Sequence, residues 1–239
     1  VKRRTLLKLW AGFALVSALP KVFADSNNKG GIMILTPTQQ ALAAVAVATA
    51  TGDQKTLTKQ LNQAFDADRL TVNQAKSAME QLYAYCGFPR SLNALSTLMT
   101  VVNARQTQHK PTKAGVAAAP LPADTDLLAL GEQVQTELAG QKVAGPLFDF
   151  SPHIDRYLKR HLFGDIFSDN RLTHQEREIV TIAALGSMDG VQSQFESHIR
   201  LGKNVGLSDE QIIEIKRIIA LKDRDESAGK EGVGNGDYH

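Results

Sequence analysis

The chain has 239 residues, 43% of them hydrophobic and 22% charged, which excludes wholesale disorder and leaves room for one sizeable core or two small ones. A single cysteine excludes an intramolecular disulfide, a Cys-x-x-Cys redox pair and any Cys-rich zinc module. The net charge of +2 comes from the N-terminus: Lys2, Arg3, Arg4, Lys8 and Lys21 precede the first acid. Without those five the remainder carries 22 basic against 25 acidic residues, a charge of −3, and offers no electrostatic argument for nucleic acid.

Residues 1–24 read as an export signal. The basic start is followed by an apolar stretch from Leu9 to Leu19, and Val22-Phe23-Ala24 places small residues for a cut before Asp25. Eleven helical residues rise about 16 Å, short of the roughly 30 Å hydrocarbon core, so no stable membrane span is expected. Arg3-Arg4-Thr5-Leu6-Leu7-Lys8 resembles the twin-arginine motif, which implies export machinery recognising Arg3 and Arg4 and a periplasmic body.

The body predicts helices. Leu35-Thr36, Leu70-Thr71, Leu172-Thr173 and Leu207-Ser208 each place a hydroxyl residue after Leu, with Gln39, Gln74, Glu176 or Gln211 three residues beyond the hydroxyl. That is the capping-box pattern. Leu35 and Leu70 are 35 residues apart, as are Leu172 and Leu207, and the two pairs are offset by 137. The chain therefore carries an internal repeat, expected over residues 32–103 and 125–222.

Between the caps, Ala41 to Ala50 is almost continuously apolar, as suits a helix buried on most sides. Residues 104–124 read as a linker, with Phe88-Pro89 a turn before it. Short helices are expected from Thr125 to Leu138 and from Pro152 to Phe167, the latter with Ile154, Leu158, Leu162 and Phe163 inward. Stripes of Ile179, Ile182, Ala183 and Leu185, then Phe195, Ile199 and Leu201, then Ile212, Ile215, Ile218 and Ile219, mark three more. Gly206 is a stop signal, and residues 223–239 are expected to be a disordered tail.

Several of these segments resemble the carboxymuconolactone decarboxylase family, which includes the alkylhydroperoxidase-D-like proteins. Tyr85-Cys86-Gly87-Phe88-Pro89 through Ala94 is similar to its Tyr-x-Gly-x-Pro segment. Phe163-Gly164-Asp165-Ile166-Phe167, Leu172 through Leu185, Gln194-Phe195-x-x-His198 and Asn204 through Glu214 are similar to its later signatures. The resemblance implies an all-α fold of tandem antiparallel helix hairpins and a homo-oligomer, trimer or hexamer, with sites near subunit contacts. It also implies one of two chemistries, decarboxylation of a lactone or reduction of peroxides by a cysteine pair.

The chain departs from both patterns. The peroxidase cysteines fall on Val191 and Gln194, so the dithiol relay has neither thiol, and Gln194 also stands where the decarboxylase pattern has Glu. The offset of 137 maps Ala41 onto Glu178, Leu61 onto His198 and Cys86 onto Asp223. A single site would combine Tyr85 and Cys86 from the first copy with Glu178 and His198 from the second. Glu178 and His198 are the acid–base candidates, Cys86 a possible thiol nucleophile, and Tyr85, Arg177, Gln194 and Arg200 candidates for substrate binding.

Each candidate also has a structural role open to it. Glu178, expected in the first turn of its helix, suits the helix dipole, His198 packs between helices, Cys86 is a small hydrophobe, and Tyr83 and Tyr85 hold their hydroxyls at a rim. His109, His153, His161, His174 and His239 show no metal-ligand spacing, so no structural metal and no cofactor are expected. Three functions remain in view. These are a cofactor-free acid–base enzyme on a carboxylated or lactone substrate, a peroxiredoxin-type activity through Cys86, and a non-catalytic oligomeric binding protein.

Overall fold

A computed structural model describes the backbone of residues 34–231 and the side chains of residues 34–221. The export signal read over residues 1–24, with Arg3 and Arg4, and the tail from 232 lie outside the described residues. The fold is all-α. In chain order the helices are α1 (Pro37–Thr51), α2 (Gln54–Asp66), α3 (Val72–Thr107), α4 (Leu127–Ala139), α5 (Pro146–Phe150) and α6 (Pro152–Tyr157). A π-helix (Leu158–Ile166) follows, then α7 (His174–Leu185), α8 (Gln192–Asn204) and α9 (Asp209–Glu231). No helix among the described residues is long and apolar enough to cross a membrane.

The capping grammar is realised in geometry. Thr36, Thr71 and Thr173 each accept from the amide three residues on, and Gln39, Gln74 and Glu176 reach back to the cap amides. Ser208 accepts from the Gln211 amide at 3.2 Å, and its own amide donates to Gln211 Oε1 at 2.9 Å. The starts of α1 and α7 lie 137 residues apart, as do those of α3 and α9, and α2 and α8 agree to within one residue. α1 packs against α7, α3 against α7, and α9 against α1. Exchanging the two three-helix units maps this set of contacts onto itself, as a two-fold relation requires.

The shared core lies along the α1–α7 seam, where Leu42, Val45, Ala46, Ile179, Ile182 and Ala183 are wholly buried. A second, smaller core joins α4 to the π-helix through Val134, Leu138, Leu162, Phe163 and Phe167. Gly131 and Gly164 make that contact possible: a Cβ at either would fall on a backbone carbonyl oxygen, of Lys159 or of Leu127. Instead of a single regular helix, the stretch from Pro152 is a short α-helix that widens into the π-helix, and Ile154 is exposed rather than inward.

Three further expectations are corrected. α3 runs through Phe88-Pro89 to Thr107, bent at Gly87, whose φ of 83° and ψ of 157° suit glycine. The segment after it is tied down. Arg105, 2% exposed, donates to Asp66 Oδ1 at 2.7 Å, Thr112 Oγ1 at 3.0 Å and the Pro111 carbonyl at 2.9 Å. The amides of Val72 and Asn73 donate to the Lys113 and Ala114 carbonyls. Finally, α9 continues in backbone to Glu231, so residues 223–231 are helical rather than part of a frayed tail.

Candidate functional site

α7 begins at the Thr173 cap, which puts Glu176 in its first turn and Glu178 in the second, one turn deeper than expected. There Glu178 is wholly buried at 0% exposure. Burying a carboxylate demands a partner, and His198 on α8 supplies one: its Nδ1 lies 2.8 Å from Glu178 Oε2. An ionised carboxylate only accepts, so this bond selects the Nδ1–H tautomer and leaves the Nε2 lone pair free. His198 is itself 8% exposed.

The third member comes from the other unit. Tyr85, near the bend of α3, packs its ring edge-on to His198 with centroids 5.2 Å apart. Its hydroxyl is not at a rim. It is buried without a hydrogen-bond partner, as is Glu178 Oε1. Burial pushes the phenol well above its usual value, and the neighbouring Glu178 carboxylate adds to that, against weaker opposing effects of Thr181 and Arg177. Tyr85 therefore stays a hydrogen-bond donor at any physiological pH.

Beneath these groups Arg177 anchors the seam. Its Nη1 donates to Gln81 Oε1 at 2.9 Å, and its Nη2 to the Asp169 carbonyl at 2.7 Å and to Ser77 Oγ at 3.3 Å. Gln81 Nε2 returns bonds to the Arg177 carbonyl at 2.9 Å and to Thr181 Oγ1 at 2.8 Å. Burial pushes the guanidinium down to about 10, which still leaves it charged at neutral pH. Arg177 thus holds α7 to α3, and its Nη donors are spent inside the protein rather than offered to a substrate. Gln81 and Ser77 were not found from sequence. The available signal was a Gln one helical turn before Tyr85, among Ala78, Met79 and Leu82.

The remaining candidates lie apart. Gln194 and Arg200 are exposed, and Arg200 Nη2 donates to Ser197 Oγ at 2.8 Å. Cys86 is half-buried and its thiol donates to the Leu82 carbonyl at 3.2 Å. Burial pushes that thiol up, against a smaller lowering by Arg90. Among the described residues no three His, Cys, Asp or Glu side chains come together as metal ligands would.

The arrangement is a buried carboxylate–imidazole pair with one ring nitrogen free, beside a protonated phenol. No curated protein matches the chain. Residues 152–223, which run from α6 into α9 and contain both Glu178 and His198, match the family model described as the carboxymuconolactone decarboxylase family.

Proposed function

We propose that the protein is a small-molecule enzyme that moves a proton beside a carbonyl of a carboxylated or lactone substrate, using Glu178 and His198. The observation that carries this reading is the 2.8 Å bond from His198 Nδ1 to the wholly buried Glu178. That carboxylate orients the ring and stabilises the imidazolium that forms when Nε2 takes up a proton. When a substrate carboxylate leaves as CO2, the electrons of the broken C–C bond pass toward the neighbouring carbonyl. His198 Nε2, having taken a proton from solvent water, delivers it to the carbon as the enolate electrons return, and the ring is left neutral for the next turnover. Tyr85, held protonated, donates a hydrogen bond to substrate oxygen, a role its unpartnered hydroxyl leaves open.

A thiol nucleophile works as its thiolate. The bond of Cys86 to the Leu82 carbonyl and the upward push of burial weigh against a peroxide-reducing role. Exposed Phe88, Leu92, Met99 and Phe150 support assembly into a homo-oligomer, which sedimentation would reveal. The signal-like residues 1–24 support export to the periplasm, readable by fractionation.

The test is a screen of carboxylated lactones and β-keto acids for CO2 release. Turnover should vanish in His198→Ala and survive in Cys86→Ser. Hydroperoxide consumption that needs Cys86 and ignores His198 would overturn the reading.

A further inference from the structure

The repeat that builds the Glu178–His198 site also fixes an equivalent place in the other unit. The first site lies where α7 and α8 meet α3, so exchanging the units places an equivalent where α1 and α2 meet α9. A groove of about 710 Å3 lies there, lined by those three helices and by Arg69 just after α2. Its α1 wall is Ala41, Ala44 and Ala48, which stand at the positions of Glu178, Thr181 and Leu185. Gln40 stands at the position of Arg177, while Glu214 and Ile218 of α9 replace Ser77 and Gln81. Small side chains on one wall thus occupy the places where the other unit carries a carboxylate, a hydroxyl and a leucine.

The charges around this groove do not cancel. Asp53 caps α2 by accepting from the Thr56 amide at 2.9 Å, and Glu214 faces Arg217 at 3.6 Å. Lys55, also exposed at the groove, sets its charge against Asp53, while Lys59 and Arg69 lie exposed there and take no ion-pair partner among the described residues. An alanine wall with Val47 and Ile218 beside it, and two free cations, complements an organic anion with an apolar body.

We propose that the groove between α1, α2 and α9 is a second ligand site, binding an amphipathic organic acid with its apolar body on the alanine wall and its anionic group between Lys59 and Arg69. The site is non-catalytic, because Ala41 and Leu61 stand where the other unit has its carboxylate and imidazole. The inference rests on the repeat and the groove, and is independent of the reaction proposed for Glu178 and His198.

The test is fluorescence titration of the full chain with anilinonaphthalene sulfonate, an apolar anion. The dye should bind at one site per chain. Its Kd should rise about tenfold or more in Ala44→Trp, which fills the wall, and in Lys59→Glu/Arg69→Glu, which reverses the free charge. It should stay unchanged in His198→Ala. Decanoate should displace the dye and inorganic phosphate should not, since phosphate has no apolar body. Absence of binding, binding indifferent to both groove variants, or displacement by phosphate would each overturn the proposal. Circular dichroism of each variant separates loss of the groove from loss of the fold.

Discussion

The two three-helix units share their caps, their helix spacing and their packing, yet they bury opposite chemistry. In α1 and α2 the positions concerned are Gln40, Ala41 and Ala44, half-buried along the groove, and the buried Leu61. In α7 and α8 the same positions are Arg177, Glu178, Thr181 and His198. Both sets support helices crossing one another, so the polar set is not needed for the fold. It is expensive, since a wholly buried Glu and Arg must each be matched by donors and acceptors from neighbouring helices. That Arg177 is matched by Gln81 and Ser77 of α3, while Tyr85 of the same helix packs its ring on His198, teaches that the chemical site belongs to the pair of units and to neither alone.

The strongest way to break the comparison is to make the second unit resemble the first. Glu178→Ala/His198→Leu copies Ala41 and Leu61. It should lower turnover on any substrate found by the screen by about a hundredfold or more, while the melting temperature holds or rises, because a buried polar pair is exchanged for apolar packing. A melting temperature that collapses instead would show the pair to be structural.

Next in size is Arg177→Gln, which copies Gln40. It removes the bonds to Asp169 and Ser77 and leaves buried groups unpaired, for a loss of about 3 kcal/mol in urea unfolding. An unchanged midpoint would deny Arg177 its role as anchor between α7 and α3.

Asp169 sharpens the same point through pH. Burial works against its charge, but hydrogen bonds from the Arg171 side chain and backbone, with the charges of Arg171 and Arg177, outweigh it and hold the carboxyl below its usual value. A carboxyl lowered in the folded state contributes stability above its unfolded value, near about 3.9, and loses it as pH falls through the folded value. Asp169→Asn should cost about 1 kcal/mol at neutral pH and flatten the acid limb of a stability–pH curve. A variant curve that runs parallel to the wild type's from neutral pH through the acid limb would contradict this.

Smallest is Tyr85→Phe. Its hydroxyl has no partner, so stability should shift by no more than about 0.5 kcal/mol, while turnover drops about tenfold through loss of a donor to substrate. Equal turnover would remove Tyr85 from the chemistry and leave it a packing residue against His198.

Much of the helical frame was legible in local sequence. Four hydroxyl residues with Gln or Glu three positions on mark four helix starts, because a capping box needs only residues within one turn of each other. The offset of 137 between the pairs recurs in the starts of α1 and α7 and of α3 and α9. Glu178 and His198 were named as partners by resemblance and by mapping onto Ala41 and Leu61. Residues 158–166 were not legible as a π-helix, since that widening answers the close crossing with α4 at Gly131 and Gly164. Nor was the tethering of the segment after α3, because Arg105 finds Asp66 and Asn62 across 39 and 43 residues of chain.

The roles within the site divide along the same line. By itself the sequence determined the caps, the apolar stripes, the 137-residue spacing of the helix starts and the family resemblance, all of which depend on neighbours a few residues apart or on recurring patterns. The tertiary structure alone decided that Arg177 is an internal anchor, that the Tyr85 hydroxyl is buried, and that Gln194 and Arg200 face outward. Whether a side chain is spent on the protein or left free for a substrate depends on which distant helix lies opposite it, and the pattern of one helix does not contain that.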